Sequence, residues 1–200
     1  MDACLHMGTP PWSETDCYGS NGYGQLAQNP AQWPSTLGII LGTGLGNSTT
    51  GVSVADNYMC AIQSSGVIQC SGRGTLGELG NGQAGIFWQP QTVGNGQRFW
   101  SVTTGYSHAC ALDPNNQAYC WGEGQWGEVG NGASGLWTTP QAVVGGHTFT
   151  AIAAGLVHTC GIGTDGHIWC WGNNGFAQMG VSYLSGGWWP SPVQVMDPPT

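Results

Sequence analysis

Residues 120–132 read CWGEGQWGEVGNG, and how this stretch is understood decides the fold. Taken alone, its five glycines suggest a phosphate-cradling loop and its two glutamates a metal site. Fifty residues upstream, however, stands CSGRGTLGELGNG from Cys70, and fifty downstream stands CWGNNGFAQMGVS from Cys170. The stretch is one copy of a repeat, and self-similarity at a fixed period must be read before any motif inside it.

Cys60, Cys110 and Cys160 precede Cys70, Cys120 and Cys170 by ten residues each, giving three C-x9-C units with a period of fifty. Pro90, Pro140 and Pro190 keep the same register, as do Val93, Val143 and Val193, and Gly72, Gly122 and Gly172. A fourth, divergent copy opens the sequence, where twelve residues separate Cys4 from Cys17 and CYGSNGYGQL at 17–26 matches CWGNNGFAQM at 170–179. Its offset to the next copy is 53 residues: the segment before Leu37 is shorter by three and the glycine-rich GTGLGNSTTG region longer by six. Loops absorb such changes at little entropic cost. The repeats run approximately over 1–50, 51–98, 99–148 and 149–200.

Short alternating runs such as VIQC, QAYC and HIWC, bounded by Gly, Asn and Asp, read as strands. Between the paired cysteines, Ser65-Gly66, Asn115-Asn116 and Asp165-Gly166 supply the residue with positive φ needed by a hairpin closed with a type I turn and a bulge. Residues five to either side of such a turn face one another, which sets Cys60 against Cys70, Cys110 against Cys120, and Cys160 against Cys170. Directly opposed strand positions lie within disulfide range, and closing a loop of this size is worth about 3 kcal/mol by chain entropy. Cys4 and Cys17 complete the set of eight cysteines as the fourth expected bridge. A zinc alternative using His108, Cys110 and Cys120, echoed by His158, Cys160 and Cys170, lacks close C-x2-C ligand pairs, and the copy at Cys60 has Tyr58 in the histidine position. Disulfides imply an oxidising compartment, outside the cell or at its surface.

The composition narrows the function. The 200 residues include 36 Gly, 11 Pro and 11 Trp but only 6% charged residues, which suits a turn-rich globular chain with a real core. There is no lysine, and two arginines stand against ten acids for a net charge of −8, so neither nucleic acid nor an anionic membrane surface is an expected partner. No apolar run reaches the ~18 residues of a membrane span, so no membrane insertion is expected. The opening MDACLHMG has neither the basic nor the apolar region of a signal peptide, which leaves a removed leader or a longer parent chain.

The unit from 102 to 143, VTTGYSHACALDPNNQAYCWGEGQWGEVGNG followed by TPQAV, resembles the regulator of chromosome condensation repeat, and IAAGLVHTCGIGTDGHIWCWGNNGFAQMG at 152–180 resembles it more closely. The resemblance implies an all-β fold, a β-propeller in which each repeat of about fifty residues supplies one four-stranded blade. The family usually closes with seven blades, and four repeats imply an open propeller, a compact closure or completion by a neighbouring chain. The cysteine pattern is similar to that of secreted bacterial members. The family's best-known member promotes nucleotide exchange on a small GTPase and binds chromatin, and a secreted bacterial relative inhibits β-lactamases. Neither activity carries over by residue, because the matched positions are scaffold.

Glu78 and Glu128 occupy equivalent places where the other copies have Gln25 and Gln178, so they read as structural hydrogen-bonders. His108 and His158 recur in register and read as packing residues, and Asp113 in DPNNQ reads as a turn rather than a calcium ligand. No nucleophile elbow, Walker loop or metal helix occurs in the sequence. No catalytic residue, metal or cofactor is expected. Phe87, Trp88, Trp137, Trp188 and Trp189 cluster in one loop of three repeats, either packed between blades or exposed as a partner-binding surface. Asn47 heads an N-S-T glycosylation sequon. The reading that follows is a noncatalytic extracellular scaffold that self-associates through open blade edges, as a surface layer or fibre would. The alternative is a secreted propeller that binds a protein or glycan through its aromatic loops.

Overall fold

A computed structural model describes residues 3–7, 14–31, 49–181 and 187–195, with 3–7 and 14–18 described by their backbone. The secondary structure is β throughout. The first repeat contributes the pair β1 (Ala3–Met7) and β2 (Glu14–Tyr18). The second forms a four-stranded antiparallel sheet in sequence order from β3 (Thr49–Val54), β4 (Tyr58–Gln63), β5 (Ile68–Gly74) and β6 (Gly85–Thr92). The third repeats this with β7 (Ser101–Thr104), β8 (His108–Leu112), β9 (Ala118–Glu123) and β10 (Leu136–Ala142). The fourth does so with β11 (Phe149–Ala154), β12 (His158–Gly163), β13 (Ile168–Asn173) and β14 (Trp188–Gln194). These sheets are propeller blades, arranged without closure into a barrel.

The central hairpin of each blade is set by its turn. Gly66, Asn116 and Gly166 have φ of 84°, 64° and 85°, and their N–H groups donate to the carbonyls of Gln63, Asp113 and Gly163. Only Gly or Asn enters that left-handed region readily, which explains the choice of residue. In the third blade the Asp113 carboxylate also accepts from the N–H groups of Asn115 and Gln117 at 2.8 and 2.9 Å, an Asx turn that fixes this residue in its turn role. The register that results puts Cys60 opposite Cys70, Cys110 opposite Cys120 and Cys160 opposite Cys170, and each pair is disulfide-bonded across a Cα separation of 4.1 Å. In the first repeat the backbone register likewise opposes Cys4 and Cys17. The sulfur bridge expected there, and Asn47, lie outside the described residues.

Each outer strand carries its proline at a break in pairing. The β5/β6 register jumps between Gly72↔Phe87 and Cys70↔Gln91, so Pro90 falls in a bulge where its missing N–H is harmless. Pro140 and Pro190 stand at the same irregularity of β10 and β14. Further N–H groups reach these strands from the preceding blade: Gly82 donates to the Thr138 carbonyl and Gly132 to the Pro190 carbonyl, both at 2.8 Å. Proline, bulge and covering turn together disfavour strand addition along this margin.

The cores lie between blades. One cluster joins Cys60, Ile62, Ile68, Cys70, Leu79 and Val93 of the second blade to Phe99, Ala109, Ala111 and Trp121 of the third. Another joins Cys110, Leu112, Cys120 and Val129 of the third to Phe149 and Trp171 of the fourth. The bridges of the second and third blades therefore face the next blade. The junctions are also polar: Trp121 Nε1 donates to the Glu78 carbonyl and Trp171 Nε1 to the Glu128 carbonyl, both at 2.8 Å. Tryptophan is accepted because the residue facing it is glycine. A Cβ on Gly80 would lie 2.8 Å from the Trp121 ring, and one on Gly130 would lie 2.7 Å from that of Trp171.

Candidate interaction face

The same face of the fourth blade is uncovered. Ile62 and Leu112 are buried in the second and third blades, at 5% and 0% exposure, but their counterpart Ile162 is 47% exposed. Ile68 and Ala118 are fully buried, yet Ile168 is 49% exposed. With Cys160, Ala151 and Ala153 these isoleucines line an apolar hollow of about 180 Å³. Phe176, at the tip of the adjoining turn, is 90% exposed. Among the described residues this apolar surface is left unburied, and surface of this kind marks an interaction site.

A polar ladder runs through the junctions beside these cores. The Tyr58 hydroxyl lies against the carbonyls of His108 and Gly105, and burial raises its pKa well above the ordinary phenol value. His108, in the equivalent place, has its Nε2 2.9 Å from Thr159 Oγ1. The single Thr159 hydroxyl proton goes to the Glu128 carbonyl at 3.1 Å, so Nε2 of His108 carries the proton it donates to Thr159. Burial first, and then the neighbouring His158, hold the His108 pKa down to about 3, so the ring is neutral at ordinary pH. His158 ends the ladder half-buried. The histidines thus serve packing and hydrogen bonding, and a Tyr can replace one because it too sends a donor to the next blade.

The acid positions behave as one structural device. Glu78 Oε2, Glu128 Oε2, Gln25 Oε1 and Gln178 Oε1 each accept the backbone N–H two residues back, at 2.6, 2.8, 3.0 and 2.8 Å. Glu78 also pairs with Arg73 at 3.2 Å. In the third blade the position of Arg73 is Glu123, so the buried Glu128 faces another acid instead of a cation. Burial, with a smaller push from Glu123, lifts the Glu128 pKa to about 7. A folded pKa above the unfolded value means that the native state holds a proton the unfolded chain releases. This acid therefore erodes stability as pH rises from about 4.5 to 7, with the full cost above 7. Glu128→Gln keeps the backbone bond, as Gln25 and Gln178 do, and is expected to stabilise the protein by roughly 2 kcal/mol at pH 8 and by almost nothing at pH 4. Urea unfolding at the two pH values checks this, and an equal effect at both refutes it.

The aromatic loop residues divide. Phe87 and Trp137 are half-buried against the inter-blade cores, and Trp189 is half-buried in β14, whereas Trp88 and Trp188 are 38% and 42% exposed. Gly24, Gly77 and Gly127 of the preceding blades press on this strand, at Trp88, at Trp137, and at Trp189 with Pro190. Sequence reasoning passed over Tyr23, Trp126 and Phe176, all exposed at the turn tips; the recurrence of an aromatic six residues after the second cysteine in three of the four repeats, with Leu76 in the other, was the available signal. Among the described residues, no group of three or more His, Cys, Asp or Glu is placed to hold a metal ion, and no helix is long and apolar enough to cross a membrane.

The regulator of chromosome condensation (RCC1) repeat family matches residues 101–127 and 149–178, within the third and fourth blades. Solved structures extend the likeness over the chain. Human WBSCR16 superposes with a TM-score of 0.74 at 17% identity, over 91% of this chain and 48% of its own. Yeast RCC1 (Prp20), solved bound to Kap60, gives 0.75 at 16% identity, over 92% of this chain and 45% of its own. The third and fourth blades carry RCC1-like repeats, and the chain has the RCC1-like propeller fold. A second structure of Prp20p from Saccharomyces cerevisiae gives a TM-score of 0.74 at 16% identity, over 92% of this chain and 47% of its own. At such identities the likeness is one of fold. The chain spans about half the length of these propellers. No curated protein sequence matches it significantly.

Proposed function

We propose that the chain is a noncatalytic extracellular scaffold that self-associates through its open end, covering the fourth blade's face in the assembly. The observation that carries the reading is the exposure of Ile162 and Ile168 where both preceding blades bury the equivalent positions. Association by blade faces is favoured over pairing of outer strand edges, because those edges carry the proline bulges and are met by covering turns. Three disulfides suit an oxidising compartment. The two acids of the repeat are committed to backbone bonds and buried, which argues against acid–base chemistry there.

Sedimentation velocity of the oxidised chain over a hundredfold range of concentration is the test. The wild type is expected to grow in mass with concentration. Ile162→Asp, which puts a charge into the apolar hollow, is expected to remain monomeric with an unchanged melting temperature. A wild type that stays monomeric throughout contradicts the reading.

A second reading rests on the exposed Trp88, Trp126, Trp188 and Phe176 beside Asn and Gln, a surface suited to a partner protein or glycan. Structures of the fold neighbour Prp20 are described by its complex with Kap60 and its binding to Gsp1p and histones. Protein recognition by this scaffold therefore has precedent.

A further inference from the structure

Within the chain, the blade junctions obey a size rule that also describes what the open face accepts. The residue after the second cysteine of one repeat meets the turn of the repeat before it. At two junctions that residue is tryptophan, Trp121 or Trp171, and the facing turn position is glycine, Gly80 or Gly130. At the first junction the incoming residue is Ser71, whose Oγ donates to the Gln25 carbonyl at 3.2 Å, and the turn position is Ala27, held at a φ of 58°. Ala27 keeps the left-handed backbone of Gly80 and Gly130, with φ of 63° and 71°, so the glycines serve the incoming ring and not the turn alone. A large ring goes with glycine, and a small side chain goes with alanine.

The open face carries Gly180, at a φ of 66°, in this position. By the rule it is cut for a large ring, with the Gln178 carbonyl in the place of the acceptors at Glu78 and Glu128. Aligned on the second cysteine, the incoming position of the first repeat is Tyr18, a large ring.

A second departure points to the same mate. Gly24, Gly77 and Gly127 leave room for the next outer strand, since a Cβ on them would fall 2.2, 2.8 and 2.6 Å from it. At the open face this position is Ala177, also left-handed at a φ of 58°. A unit like repeats two to four would collide there. The first repeat has the shortened outer segment: Leu37 follows Cys17 by 20 residues, where Val93 follows Cys70 by 23, whereas the fourth repeat's is longer, pairing Cys170 with Val193 where Cys70 pairs with Gln91, and still meets Gly127.

Resting on the self-association reading above, we propose that the fourth blade's open face receives the first repeat of a second copy, head to tail, as a continuation of the internal blade junctions. The contact joins two different surfaces, so it builds either a closed ring or an extending fibre.

Compensating substitutions test it in the full, oxidised chain. Gly180→Ala and Tyr18→Ser are each expected to raise the concentration for half-assembly about tenfold, the first by obstructing the ring and the second by removing it. The double variant recreates the Ala27 and Ser71 pairing and is expected to recover most of the lost affinity. Melting temperatures run alongside separate lost association from lost folding. If the wild type assembles but neither single variant weakens assembly, or the double is no better than the worse single, the head-to-tail contact is overturned while self-association stands. A wild type that never assembles removes both.

Discussion

Protein refolded with its cysteines reduced and alkylated is expected to be unfolded, or barely folded, at 37 °C. Each hairpin bridge contributes about 3 kcal/mol by chain entropy, and three together approach the ~5–15 kcal/mol that holds a typical domain. The bridges also fill the inter-blade cores: Cys60, Cys70, Cys110 and Cys120 are fully buried. Carboxymethyl groups there would have no room. Reduction of the native protein should be staged, with the partly exposed Cys160 and its partner Cys170 yielding first and the buried pairs only on unfolding. Calorimetry and timed alkylation measure both effects. A reduced, alkylated chain melting within a few degrees of the oxidised one would show that the β-pairing and apolar contacts suffice.

The second large effect concerns Trp121. Its ring is fully buried between the second and third blades, stands 6.3 Å from Phe99 by ring centroids, and hydrogen-bonds the Glu78 carbonyl at 2.8 Å. Trp121→Ala leaves a cavity and an unsatisfied acceptor at once, and is expected to cost about 3–5 kcal/mol. Trp121→Phe, which keeps most of the ring and loses the donor, should cost less than half as much. Because the loss falls at a junction, urea unfolding of the alanine variant is expected to separate into two steps. A loss below about 1 kcal/mol would mean that the blades are stable singly and do not lean on one another.

The sequence was informative where local chemistry decides. Gly66, Asn116 and Gly166 are needed by the turn whatever surrounds it, and the turn fixes which cysteines oppose, so the hairpins could be read from spacing. The shared role of Glu78, Glu128, Gln25 and Gln178 followed from their interchange, since an acid catalyst would not tolerate an amide. What could not be read was the division of the loop aromatics. Phe87 and Trp88 are neighbours on one strand, and only the pleat and the adjacent blade decide that one is half-buried and the other exposed. An open end was expected from four repeats, but which side chains it leaves uncovered was equally hidden. Ile162 looks like Ile62 in sequence, and the difference between them is whether another blade follows in space.

Hydrogen exchange of the oxidised chain, followed by mass spectrometry at low and high protein concentration, tests the open-face reading most directly. Peptides from β12, β13 and the turn at 174–181 are expected to gain protection as concentration rises, while the already covered β4, β5, β8 and β9 stay unchanged. Exchange at the fourth blade that is identical at every concentration would contradict the claim that this face is half of a junction completed by another copy.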